Sequence, residues 1–139
     1  MEIRELRESD IKLITHIAEA KALGTLKLHF KMGRIGLPVS RKYWICKDGR
    51  FVGFGGVHLE NPQIFHKSWL DAESSKIREA LLRHIIKESA KMGAKYFYAE
   101  SYPKSPMNEL YARLGFEKKL RIKNYWSKGN DLVLFVKKL

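Results

Sequence analysis

Near its end the chain carries Leu132-Val133-Leu134-Phe135-Val136, an unbroken apolar run. Such a run is expected of an interior strand whose sheet is covered on both faces. The rest of the chain must then supply helices for both sides. Ser74 or Ser75 caps one helix, striped by Ile77, Leu81, Leu82, Ile85 and Ile86, with Lys91 in the last turn and Gly93 at the C-cap. Ser9 caps an earlier one, with Asp10 in its first turn and Ile11, Ile14 and Ala18 at helical spacing. That helix is expected to reach about Ala22 and to stop at Gly24. Residues 25–40 read as a short helix followed by a loop rich in Lys and Arg, broken by Gly33, Gly36 and Pro38.

The strands are signalled by turns. Asp48-Gly49 separates Tyr43-Trp44-Ile45-Cys46 from Phe51-Val52-Gly53-Phe54, a hairpin pattern in which glycine tolerates the positive φ of the turn. In Phe54-Gly55-Gly56 the glycines predict close backbone approach or a bulge. Asn61-Pro62 ends that strand, and the next runs from about Gln63 to Leu70. Ala94–Glu100 is a strand with Tyr96 and Tyr98 on one face and Phe97 on the other. Ser105-Pro106 opens a short helix carrying Met107, Leu110 and Leu114, which Gly115 stops. Two strands close the chain around Lys128-Gly129. The order is β α α β β β α β α β β. Trp44, Trp69, Tyr125 and Trp126 are expected in the core or along a crevice.

With 139 residues, 45% of them hydrophobic and 30% charged, the chain suits one globular domain spanning residues 1–139. The lone Cys46 excludes an internal disulfide and reads as a buried hydrophobe. No apolar stretch approaches the roughly 20 residues of a membrane span, and the first residues lack a signal-peptide core, so no membrane association and a cytoplasmic location are expected. Lys and Arg number 27 against 15 Asp and Glu, a net charge of +12. This basic character attracts anions, whether phosphorylated cofactors or nucleic acid, but the cations are spread along the chain rather than blocked into a tail. A nucleic-acid role therefore stays open on charge alone.

Asn108-Glu109-Leu110-Tyr111-Ala112-Arg113-Leu114-Gly115-Phe116-Glu117, the closing strand and Ala80-Leu81-Leu82 occur in the order and spacing of a known family. Over its whole length the sequence resembles the GNAT superfamily of acyl-CoA N-acyltransferases. The resemblance implies an α/β (α+β) fold, with a mixed, mostly antiparallel sheet of six to seven strands, helices on both faces and a splay between strands 4 and 5. It also implies acetyl transfer from acetyl-CoA, as co-substrate, to an amine, and is compatible with a homodimer. Tyr111 matches the tyrosine that protonates the departing thiolate. Backbone N–H groups near Trp69, Leu70 and Asp71 would hold the pantetheine and the developing oxyanion. Those of Ser74, Ser75, Lys76, Ile77, Arg78 and Glu79 would hold the pyrophosphate, as helix N-termini hold anions generally.

The sequence departs from the family at that helix start. The usual [Q/R]-x-x-G-x-[G/A] pattern becomes Glu73-Ser74-Ser75-Lys76-Ile77-Arg78. Lys76 and Arg78 fill both small positions, and Glu73 would repel a phosphate. Either the two cations replace backbone contacts with charge-assisted bonds, or the cradle is lost and the domain is a GNAT-like binding module without catalysis.

Acyl transfer needs a base near the amine. Glu100, at the end of its strand, is the first candidate, with His58, Glu60 and His66 behind it. The segment 25–42, with Lys27, Lys31, Arg34, Arg41 and Lys42, would wall the acceptor and suit an acidic one. The histidines show no metal-ligand spacing, so no metal site is expected.

Overall fold

The computed structural model describes Met1 to Leu139, the side chain of Ala20 excepted. In chain order it contains β1 (Glu2–Glu5), a 3-10 helix (Glu8–Leu13), α1 (Ala20–Arg34), β2 (Arg41–Asp48), β3 (Arg50–Asn61), β4 (Ile64–Ala72), α2 (Ser75–Lys91), β5 (Tyr96–Ser101), α3 (Met107–Arg113), β6 (Glu117–Ser127) and β7 (Asn130–Lys138). The strands form one 7-stranded sheet in the order β1-β2-β3-β4-β5-β7-β6. Only β4 and β5 run parallel; every other neighbouring pair is antiparallel. The apolar run at 132–136 thus occupies an interior strand, between β5 and β6.

Each face of the sheet buries its own core. Val57, Phe65, Phe97 and Phe135 pack with Leu81, Leu82 and Ile85 of α2 and with Leu110 and Tyr111 of α3. On the opposite face Tyr43, Ile45 and Phe54 pack with Ile14 and with Ala22 and Leu26 of α1. The Asp48-Gly49 turn forms as read, with Gly49 at φ 74°. The close approach expected around Phe54-Gly55-Gly56 is also present. A Cβ on Gly56 would lie 2.3 Å from the Tyr43 ring and 2.9 Å from the Lys42 carbonyl oxygen.

The first helical region differs from its sequence reading. Ser9 does not cap one continuous helix. A 3-10 segment ends at Leu13, and α1 begins only at Ala20 and runs through Gly24 to Arg34. A glycine inside a helix costs about 1 kcal/mol relative to alanine, but complete burial of Ala22 and Leu26 on either side of it favours continuation. Much of the expected loop is therefore helix, leaving residues 35–40 as the connection to β2.

Asp10 anchors the 3-10 segment. Its carboxylate accepts from the Arg7 amide at 2.7 Å and takes both Arg4 guanidinium nitrogens at 2.9 Å. The Arg4 guanidinium and the Arg7 amide hold the Asp10 carboxyl below its ordinary range, against the opposing effect of burial. The stabilisation is full above the unfolded-state pKa and is lost as pH falls through the lower folded-state value. Asp10→Asn is expected to cost about 2 kcal/mol at neutral pH. The wild-type advantage in urea unfolding should disappear as the pH is taken below the carboxylate range.

Candidate active site

The sheet opens in its middle. Strands β4 and β5 pair only at Ile64↔Tyr96, Phe65↔Phe97 and His66↔Tyr98. Between Gly55↔Leu70 and Val57↔Lys67, Ser68 and Trp69 of β4 stand opposite the single Gly56 of β3. A bulge of this kind bends its strand and increases its twist. β5 is held along its whole length, Tyr96 to Ser101, by β7. From Lys67 to Ala72, β4 therefore leaves β5, and its edge on that side carries no strand.

The opening passes from one face of the sheet to the other. On the α1 face is a cavity of about 530 Å³ whose walls include Lys21, Thr25, Arg41, His66 and Trp69. On the α2 and α3 face is one of about 380 Å³ lined by Leu70, Arg78, Met107, Tyr111 and Trp126 among others. Lys67 and Glu100 line both.

Tyr111 is 1% exposed, wedged against Phe116 and Phe135, and burial pushes its phenol pKa up. The phenol therefore stays protonated at neutral pH and can serve as a proton donor but not as a base. The Lys67 ammonium lies 5.9 Å from the centre of the Tyr111 ring. Burial pushes the Lys67 pKa down to about 8, against the attraction of the Asp71 and Glu100 carboxylates, neither of which comes within ion-pair distance. Across the opening, one Glu100 carboxylate oxygen lies 3.7 Å from His66 Nε2. Burial takes His66 to about 4, which makes it a neutral imidazole.

The fold has known counterparts. The aminoglycoside 6'-N-acetyltransferase of Enterococcus faecium superposes with a TM-score of 0.81 at 15% identity, over 99% of this chain and 97% of that one. The ribosomal-protein-alanine N-acetyltransferase of Brucella melitensis gives 0.78 at 17% identity, over 100% of both chains. A GNAT family acetyltransferase from Elizabethkingia anophelis with acetyl-CoA bound gives 0.74 at 14% identity, over 99% and 97%. The chain has the GNAT fold. No protein-family model matches the sequence, and no curated protein matches it.

In this GNAT fold the start of α2 faces the same side as Tyr111. Ser74 is the N-cap, and its hydroxyl accepts from the Ile77 amide at 3.2 Å. The Arg78 amide bonds to the Ser74 carbonyl at 3.0 Å. Of the amides singled out in the sequence, Ser75 and Lys76 thus stay free of the helix's own bonds, and Glu79 lies beyond the unpaired first turn. The charge on Glu73 is compensated, because Arg50 grips both its oxygens, one at 2.8 Å, and His16 lies 3.8 Å away. Glu79 pairs with Arg83 and Arg113. Arg78 lines the cavity, while Lys76 stands exposed beside Arg83 and Arg113.

Trp69 and Asp71 both turn to the α1 face, whereas Leu70 packs on the α2 side. Asp71 Oδ2 is buried without a partner among the described residues, and burial raises its pKa. Of the five cations expected along the acceptor wall, Arg41 lines the α1-face cavity. Helical spacing carries Lys27 to a cavity beside Glu8 and Ser9, and Arg34 pairs with Glu8. Tyr125 is 53% exposed, against its expected packing, while the Trp126 indole donates to the Ser101 carbonyl at 3.1 Å.

Two features escaped the sequence reading. Lys67 sits in an ordinary alternating strand pattern, and nothing in that pattern marks the strand as splayed. His58 and His66 are direct cross-strand partners, and with Glu60 they bring three residues of metal-binding type together. Such pairs have no sequence spacing to recognise. Lys67→Met should raise the melting temperature, by on the order of 1 kcal/mol of stability, because it removes a half-buried, partly desolvated charge that has no carboxylate within ion-pair distance while keeping the stem. A thermal melt monitored by circular dichroism checks this.

Proposed function

We propose that the protein is an N-acetyltransferase that moves the acetyl group of acetyl-CoA to an amine. The observation that carries this reading is the slot between β4 and β5, which joins a cavity on each face with Lys67 and Glu100 at the junction. A pantetheine arm lies along the unpaired backbone edge of β4 at Trp69–Asp71. The pyrophosphate rests on the first turn of α2, with the Ser75 and Lys76 amides donating and the Lys76 and Arg78 side chains adding charge. The binding of acetyl-CoA by a neighbour of the same fold supports acetyl-CoA as the co-substrate.

The acceptor amine enters from the α1 face, where Lys21 and Arg41 favour one that carries an acidic group. Its nitrogen attacks the thioester carbonyl carbon, and its proton passes to Glu100 directly or through a water. The tetrahedral intermediate collapses with cleavage of the carbon–sulfur bond, and the Tyr111 phenol protonates the departing sulfur. A buried phenol alone is a weak donor to a thiolate, whose ordinary pKa is about 8.5. The Lys67 cation beside it stabilises the negative charge that develops there.

Replacement of the two small positions by Lys76 and Arg78 favours a second reading, a binding module without catalysis. Calorimetry separates the two, with ATP and desulfo-CoA as comparators. Saturable binding of acetyl-CoA that needs the pantetheine arm is the expected result. No binding up to millimolar concentration would overturn the enzyme reading. In a thiol-release assay with an amine acceptor, Tyr111→Phe and Lys67→Met should each lower kcat by about 10- to 100-fold with little change in acetyl-CoA affinity. Full activity in both variants would remove them from the chemistry.

A further inference from the structure

We propose that His58, Glu60 and His66 form a site for a divalent transition-metal ion, best suited to Zn²⁺, on the α1 face of the sheet. His58 and His66 face each other across β3 and β4, and Glu60 follows His58 on the same face. The carboxylate oxygen Oε1 of Glu60 lies 3.0 Å from His58 Nδ1 and 3.8 Å from His66 Nδ1. All three ligand atoms fall within 4.8 Å of one another. Tetrahedral zinc with bonds of about 2.0–2.1 Å needs ligand atoms roughly 3.3 Å apart, so small side-chain rotations close the site. Two imidazoles and a carboxylate suit zinc better than calcium or magnesium, which prefer oxygen alone.

One of the two histidines already has the outer contact that a ligand requires. Metal-bound histidines hold their second ring nitrogen on a polar partner, which fixes the ring. His58 Nε2 lies 3.0 Å from the Ser40 hydroxyl, whereas His66 Nε2 faces Glu100 at 3.7 Å, beyond a direct hydrogen bond. The Tyr98 hydroxyl donates to Glu60 at 2.9 Å, and its ring stacks on His66 at 4.3 Å with planes 3° apart. Ligands on two paired strands are held by the sheet itself, so little ordering is needed when the ion binds. All three remain partly open, which leaves a coordination position for water.

The test is titration of untagged, full-length protein with Zn²⁺ against a chromophoric chelator, together with the visible spectrum of the Co²⁺ form. One equivalent of Zn²⁺ and the bands of four-coordinate Co²⁺ are expected. His58→Gln, Glu60→Gln and His66→Phe, the last keeping the stack on Tyr98, should each weaken Zn²⁺ binding by more than the roughly 10- to 100-fold that loss of an outer partner costs. His84→Gln, at a separate His–Glu pair on α2, should leave it unchanged. Circular dichroism confirms that each variant is folded. Wild-type affinity in any of the three ligand variants, equal loss in His84→Gln, or no stoichiometric complex in the wild type overturns the proposal. The readout needs no acetyl-CoA, so it stands apart from the acyltransfer reading.

Discussion

Three residue pairs hold β4 to β5, and beyond His66 the two strands share no ladder. That limit comes from the other side of β4, where Ser68 and Trp69 oppose a single Gly56. Gly56 in turn is required by Tyr43, whose ring occupies the space a side chain would fill. A close contact on one neighbouring strand thus bends the next, and the bend separates the sheet into two wings. Tyr111, Lys67 and Glu100 acquire a common cavity system only because of this separation.

Charge is arranged around the opening in compensated sets. Arg50 neutralises Glu73, and Arg83 with Arg113 neutralise Glu79, so the acidic residues near the start of α2 do not present a free negative field. Several cations of the lining, Lys21, Arg41, Lys67 and Arg78, make no such pair, and Lys67 lies deepest among them. Its ammonium sits beside an aromatic ring without a carboxylate partner, a costly arrangement for stability. Such a cost is commonly found where a site is shaped for chemistry rather than for folding.

Much of the fold was legible in the residues. Turn glycines, the broad apolar stripe of α2 and the unbroken run in β7 are local signals, and all three led to the right elements. The failures have definite causes. Gly24 read as a stop, yet burial of Ala22 and Leu26 outweighed its propensity, so α1 extends to Arg34. The Ser9 hydroxyl read as a cap, but the Asp10 carboxylate holds the Arg7 amide and leaves a 3-10 turn instead. In the candidate site, Tyr111 could be found because a short motif surrounds it. Lys67 and the His58–Glu60–His66 group depend on strand register and on a bulge, which link residues that no short pattern connects.

The slot between β4 and β5 is shaped like a wedge, closed at its narrow end by the backbone bonds of His66 and Tyr98. Anything that slides into it meets a stop made of main chain. Side-chain replacement along the slot can widen or narrow the walls, but the stop moves only with the bulge, which rests on the Tyr43–Gly56 contact. The slot's depth changes if the bulge at Ser68-Trp69 moves along the strand, and the side chains between its old and new positions then turn to the opposite face. The fold therefore fixes reach and leaves breadth free to vary.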